Sequence, residues 1–597
     1  MESRLPFILL DDARPSGASP ARLYRAPAEV VVARRASEVA AALTRIEDLR
    51  DAGFDLVGYI AYEAGLALEE RLMPLADRRS GAMGPLVWFG AFKHYEAIAP
   101  DDVPGWLAAQ AEPGIAQIGP IDPQLSPGGY AKAFAAVQEA IAAGDIYQAN
   151  LTFQLGGSFR GDPLALYAAL RPAAAAGYGG IIFDGSRWLL SCSPELFFAE
   201  KDGAALAKPM KGTRPRGRDK AEDAALAAEL AASTKDRAEN LMIVDLLRND
   251  LSRVAEAGSV KVERLFAVES YPTVHTMTTT VRARLQPGKG AVDMVRALFP
   301  CGSITGAPKI RAMQLIDELE RDARGPYCGA IGRLDANGDA AFNVAIRTLR
   351  LTPGENARGR ATMGVGGAIV ADSEALDEWR EALLKGSFVR LHAGGADLIE
   401  TMRFTPESGV PLLELHLERI KASAAELGFA FDRHAVRNAI QALCFDAESA
   451  ARLRLVASRG GAYTLELGPL PEPLSGSARC SVLPLPVDPG DWRLRHKSTD
   501  RGFYEAGLAA ARAAGADEAL FIRDDGLLTE GCISSLFVER DGRLLTPPLR
   551  LGLLPGVLRQ SLLNEGRAVE AELTLGDFSG GFLIGNAVRG LIPAVLL

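Results

Sequence analysis

Two lysines and a handful of carboxylates define the chemistry open to this sequence. Lys211 lies in KPMKGTRPRG, residues 208–217, among Lys208, Arg214 and Arg216, with Arg218 just beyond and no acid in the stretch. A lysine that is desolvated or crowded by other cations presents a free amine and becomes a nucleophile. The same composition also makes a plain basic surface turn, and residue type alone favours the turn. Gly212 and Thr213 follow, with backbone N–H groups and a hydroxyl suited to a carboxylate. Glu195, in SCSPELFF, lies between a proline and an aromatic run. Burial there would raise its pKa and make it a general acid; exposure would leave an ordinary strand carboxylate.

Further along, Asp236 and Glu239 are three residues apart, as are Glu378 and Glu381, so each pair projects from one face of a helix. Two such faces brought together would hold Mg²⁺, which takes carboxylate oxygen and water; apart, they are solvated surfaces. GVGGAIV offers Gly366 and Gly367 where a backbone approaches a ligand closely, and Arg347 stands in what reads as one apolar strand, AAFNVAIRTLRL. A buried arginine needs an anionic partner, supplied by the protein or by a ligand.

The last third of the chain carries a second set. RLRHKSTDRGFYEAG places Lys497 after an alternating segment, and LLTEGCISSLFVERDG places Glu530 at the start of a strand-like run. A Schiff-base lysine and a carboxylate against a pyridinium nitrogen are what pyridoxal phosphate requires, although each residue alone reads as a surface charge. GLLPGVLRQSLL opens a helix whose unpaired N–H groups suit a phosphate, and Arg419 in ELHLERI is able to reach the same anion.

These residues need elements to hold them. The spacing predicts helices over YAKAFAAVQEAIAAG, KDRAENLMIVDLLRNDLSRV, APKIRAMQLIDELE, LDEWREALLKG and LLELHLERIKASAAELGF, interleaved with strands such as RATMGVGGAIV, LRLVAS and SSLFVE. That mixture is α+β. A first part is expected over 1–390, divided into 1–120 and 121–390; a linker over 391–397, centred near Gly394, precedes a second part over 398–597. With 597 residues and a net charge of −9, the chain has no basic stripe for nucleic acid. Six scattered cysteines, no signal-peptide pattern and no apolar run of membrane-spanning length point to a soluble cytoplasmic protein.

SPELF, PMKGTRPRG, KDRAENLMIVDLLRNDLSRV, FPCGSITGAPKIRAMQLIDELE, RGPYCGAIG and GGAIVADSEALDEWREALLKG, in this order, resemble the chorismate-utilising enzymes over about residues 120–390. The resemblance implies a β-sandwich with helices that binds chorismate. It assigns Glu239, Glu378 and Glu381 to magnesium, Glu195 to acid catalysis at the C4 hydroxyl, and His275 to a place near the reacting ring. Gly212, Thr213, Tyr327, Arg347, Gly366, Gly367 and Lys385 become substrate-holding positions. Asp236 stands where some members have glutamate. Anthranilate-forming members have alanine at the position of Lys211, whereas the branch that aminates C4 has a lysine, so the resemblance makes Lys211 the nucleophile. Ammonia is expected from a separate glutamine amidotransferase subunit, since no cysteine here lies in a G-x-C-x-G elbow.

LIETMRF, LLELHLERI, KSTDRGFYEAG, TPPLRLGLLPGVLRQ and NAVRG resemble the class IV aminotransferases over about residues 398–597, in a shortened form. Lys497 then matches the cofactor lysine and Glu530 the pyridinium partner. Arg419 and the backbone around Leu554, Gly556, Val557 and Leu558 match the phosphate site, Ser534 joins the cofactor-binding set, and Thr401 matches the active-site threonine of the lyase members. Ser535 stands where the family usually has asparagine, and Leu558 where it often has threonine. Together the two resemblances imply amination of chorismate followed by pyruvate elimination to 4-aminobenzoate. The alternatives are an anthranilate synthase fused to a transaminase, and a chain whose second part is only a regulatory module.

Overall fold

The computed structural model describes residues 5–79, 83–114, 116–217, 219–270, 274–354, 358–393, 395–472 and 476–597; Arg218 and Gly394 lie outside them. The chain forms two compact units, Met1–Gly394 and Gly395–Leu597.

Among the described residues the first unit is a sandwich of two large sheets, one of eleven strands and one of ten, in which every strand pairing is antiparallel. Ile8, Tyr24, Ile182 and Leu189 from one sheet meet Val57, Tyr59, Trp88 and Ile331 from the other in a shared buried cluster. Helices cover both outer faces. Val39–Asp51, Thr234–Ser252 and Ala291–Leu298 bury their apolar stripes on the ten-stranded sheet, and Pro127–Ala142, Pro163–Ala174 and Ala375–Leu384 do so on the other. Alternating apolar residues on the strands and residues three to four apart on the helices give each layer one dry face, which is why four layers stack. The expected α+β sandwich is borne out.

Three expectations change. AAFNVAIRTLRL is two strands: Ala340–Val344 in the ten-stranded sheet and Thr348–Pro353 in the eleven-stranded one. Arg347, at φ +48°, sits in the bend that carries the chain from one sheet to the other. Periodicity could not reveal this break, because both halves keep the same apolar alternation. The opening basic stretch is no turn; Met210–Pro215 is a strand paired with Val274–Arg284, so Lys211 and Arg214 lie at ladder positions. The first three linker residues, 391–393, complete a helix, Ser387–Ala393.

The second unit combines a three-stranded antiparallel sheet with an eight-stranded mixed sheet. Leu398–Phe404, Ala451–Ala457 and Tyr463–Gly468 form the small sheet, whose apolar face packs under the helices Leu413–Leu427 and Arg433–Cys444. In the larger sheet Ala478–Pro484 runs parallel to both Glu518–Ile522 and Gly590–Leu596.

Candidate active sites

The first site is built where the chain changes sheets. Trp188–Ser193 belongs to the eleven-stranded sheet and Leu196–Lys201 to the ten-stranded one, so Pro194 and Glu195 form a crossing. The bend at Arg347 is another, and the two touch. The Val344 N–H donates to the Glu195 carbonyl at 3.1 Å, the Cys192 N–H to the Arg347 carbonyl at 3.0 Å, and the Ser193 hydroxyl to the Val344 carbonyl at 2.6 Å. Corners where strands leave one sheet for the other splay their side chains into the space between.

Glu195 is buried, and burial pushes its pKa up to about 7 against the opposing pull of the Ser303 hydroxyl and the Lys211 charge. Ser303 Oγ donates to Glu195 Oε1 at 2.8 Å, while Lys211 Nζ donates to the Ser303 carbonyl at 3.4 Å. One serine therefore joins the candidate acid to the candidate nucleophile. Ser303 lies in the quoted FPCGSITGAPK, but nothing in its residue type singled it out. Arg347 is pulled below the usual arginine range by burial, and among the described residues no carboxylate pairs with it. The structural ion pair is thus excluded for it there. Tyr327 packs its ring on Gly364, and burial drives its phenol well above its ordinary value.

On the far side of Lys211 the helices supply carboxylates. Lys385 Nζ donates to the Gly366 carbonyl at 2.7 Å and pairs with Glu381 at 2.8 Å. A Cβ on Gly367 would stand 3.1 Å from Glu378 Oε2, so glycine lets the strand pass directly beneath that carboxylate. Burial raises the Glu378 and Glu239 pKa values and the Glu381 charge raises both further; the Lys385 ammonium holds Glu381 itself below its usual range. Among the described residues no group of three metal-binding side chains closes to ligand distance. The donor set nevertheless fits Mg²⁺: hard oxygens, of which Glu381 raises the pKa of the other two, are relieved by a divalent cation, a role that Lys211, Lys235 and Lys385 fill in part here.

Asp236 and His275 have other partners. Asp236 accepts from Arg214 Nη2 at 3.1 Å. Gly212, at φ +75°, is required because a Cβ would fall 2.7 Å from Asp236 Oδ1, and the exposed Thr213 follows it in the strand. His275 has both ring nitrogens engaged, Nδ1 with the Ser270 hydroxyl and Nε2 with Asp223, at 2.8 and 2.9 Å.

In the second unit Lys497 is placed by pairing its carbonyl with the Ile399 N–H, and its Nζ donates to Thr401 Oγ1 at 3.2 Å. Burial, then the charges of Arg419, Arg501 and Arg454, depress its pKa to about 7 despite Glu400. Glu530 is pushed up to about 7 by burial while it accepts from the Tyr504 hydroxyl at 2.5 Å and from the Leu554 N–H at 3.1 Å. The Leu554 amide therefore serves Glu530. Arg419 grips Glu400 through Nε and Nη2, at 2.8 and 2.6 Å, and donates to the Pro555 carbonyl at 3.0 Å. It ties the 554–558 turn to the strand carrying Thr401. Gly556 starts the helix Val557–Asn564 with no side-chain cap, leaving the amides at Val557 and Leu558 for an anion. Ser535 Oγ lies where a Gly556 Cβ would be, at 2.3 Å, whereas Ser534 donates to Glu518 at 2.9 Å. Ser535, noted only as a departure from the family, is the serine at this helix start. A lysine poised to lose its proton, a buried carboxylate and an uncapped helix start fit pyridoxal phosphate.

The first unit thus joins a buried acid to an amine, and the second holds a buried lysine of depressed pKa. Residues 6–390 match the chorismate binding enzyme family and residues 397–597 match amino-transferase class IV; the chain belongs to the former family and carries a class IV domain after it. An aminodeoxychorismate synthase of Streptomyces griseus is 45% identical over 277 residues, 46% of this chain and 38% of that protein. Aminodeoxychorismate synthase component 1 of Klebsiella aerogenes is 43% identical over 283 residues, 47% of this chain and 62% of that one. This chain therefore spans less than two thirds of either relative in these matches. Anthranilate synthase component I from Streptococcus pneumoniae TIGR4 superposes with a TM-score of 0.54 at 27% identity, covering 63% of this chain and 93% of that one. No described helix is long and apolar enough to cross a membrane.

Proposed function

We propose that the chain makes 4-aminobenzoate from chorismate in two steps: amination to 4-amino-4-deoxychorismate in residues 1–390, then elimination of pyruvate in residues 398–597. Ammonia comes from a separate glutamine amidotransferase subunit. The observation that carries the reading is the chain Lys211, Ser303, Glu195, ending in a buried carboxylic acid of pKa about 7.

In the first step Arg347, a half-buried cation with no carboxylate of its own among the described residues, holds a chorismate carboxylate. Glu239, Glu378 and Glu381 would hold Mg²⁺, which when bound would offset the second negative charge. The Lys211 amine attacks C2, the ring double bonds shift, and the C4 hydroxyl leaves as water with the proton of Glu195. Ammonia then bonds to C4 and the lysine departs from C2, so chorismate and ammonia give the amino product and water. In the second step Glu530, Arg419, the helix start at Val557 and Lys497 would hold pyridoxal phosphate, which when bound would supply an electron sink. The Lys497 amine, oriented by Thr401, takes the proton from C4; the C3–O bond breaks, pyruvate leaves and the ring becomes aromatic.

Chorismate, an ammonium salt, Mg²⁺ and pyridoxal phosphate supplied to the purified chain are expected to yield 4-aminobenzoate, read by chromatography; anthranilate as the product would overturn the reading. Lys211→Ala is expected to abolish 4-aminobenzoate while chorismate still binds, and Lys497→Ala to let 4-amino-4-deoxychorismate accumulate.

A further inference from the structure

The small sheet of the second unit has one apolar face under its helices and one face that carries Thr401, the partner of Lys497. On that second face the ladder sets Thr401 directly opposite Arg454, and Arg403 directly opposite Arg452. Like charges placed opposite one another across a strand pair are unfavourable, and they persist where something negative sits over them. The chain does not supply it: among the described residues no carboxylate lies within ion-pair distance of Arg403, Arg452 or Arg454. Glu466 is third in the Arg454 row, yet it is exposed and makes no ion pair with that arginine. Gly468 is third in the Arg452 row, and a Cβ there would stand 3.4 Å from Arg452 Nη2, so the guanidinium lies over a strand with no side chain. Arg452 and Arg454 are half-buried, whereas Arg403 at the rim is exposed. The Arg454 charge also bears on the Lys497 amine.

We propose that Arg452 and Arg454 form the carboxylate-recognition element of the second site and make it selective for a substrate with two carboxylates beside its amine. The amine at the substrate rests on the lyase reading above; the preference for a dianion does not. Each planar fork of donors takes one carboxylate in a bidentate, charge-assisted pair, and a monocarboxylate satisfies only one of them. The two sit on adjacent rows of the same face, next to the threonine that orients the reacting lysine, so both acids of the substrate are held while its amine points at Lys497.

The test uses the full chain with Arg452→Gln, Arg454→Gln and Arg454→Lys. With pyridoxal phosphate loaded and 4-amino-4-deoxychorismate supplied, each Gln variant is expected to raise KM roughly tenfold or more with a much smaller change in kcat, and Arg454→Lys to fall between. The visible absorbance of the bound cofactor should be unchanged. With cofactor omitted, calorimetric titration of isophthalate against benzoate reads the site directly. The unmodified chain should prefer the dicarboxylate, and the Gln variants should lose that component of binding. An unchanged KM, or loss of cofactor absorbance in the Gln variants with no loss of isophthalate binding, would overturn the assignment. Failure of the unmodified chain to take up cofactor would strike the lyase reading, and the isophthalate titration would still decide the arginines.

Discussion

Ser303 lowers the pKa of Glu195, because its hydroxyl bonds to the ionised carboxylate while burial raises it. The sign of its removal follows. In Ser303→Ala the acid should hold its proton to higher pH, so the falling limb of the amination rate moves above about pH 7 while the maximal rate drops by about tenfold through lost positioning. A pH profile of chorismate consumption with ammonia checks this; a limb that stays in place or moves down would contradict it. Residue types marked Glu195 and both lysines as groups that burial or neighbouring charge can bring into catalytic use. They could not say that a serine would join two of them. Nor could they reveal that Arg347 has no carboxylate partner among the described residues, because an ion pair is a statement about neighbours distant in sequence.

Behind Ser303 a buried network fixes the loop that bears it. Arg324 Nη1 donates to the Ile304 carbonyl at 2.8 Å, Nη2 to the Asn150 carbonyl at 2.6 Å, and the guanidinium pairs with Glu320. Glu320 in turn accepts from the Thr152 amide and hydroxyl at 2.8 and 2.9 Å. Removing one partner of a buried pair leaves the other charge uncompensated. Arg324→Met is therefore expected to destabilise the first unit by about 3–5 kcal/mol, read from urea unfolding, and to weaken amination through the loop. Most elements were legible in the sequence, since each helix keeps its apolar stripe and each strand its alternation. The break at Arg347 was not, because a bend between sheets leaves the local pattern intact.

The two sites place opposite demands on pH. Amination needs Glu195 protonated, and with a raised pKa of about 7 that form is lost as pH rises. Elimination needs the Lys497 amine free, and with a depressed pKa of about 7 that form is lost as pH falls. Flux from chorismate to 4-aminobenzoate should therefore peak near neutrality. At about pH 6 the intermediate should accumulate, and at about pH 8 unreacted chorismate should remain, with chromatographic product ratios as the measurement. An intermediate pool that does not change with pH would contradict this assignment of the two groups.

The sequence by itself determined the sandwich and the second, class IV-like part, along with the acid, the lysines and the helical carboxylates, because those depend on residue type, short-range periodicity and motifs in fixed order. Only the tertiary structure decided which groups work together. It joined the sheet crossings that bear Glu195 and Arg347 through backbone hydrogen bonds, linked Lys211 to the acid through Ser303, gave Arg419 to Glu400 and put Ser535 rather than Ser534 at the helix start. Burial and partnership arise from residues far apart in the chain, and both shift pKa values more than local sequence does.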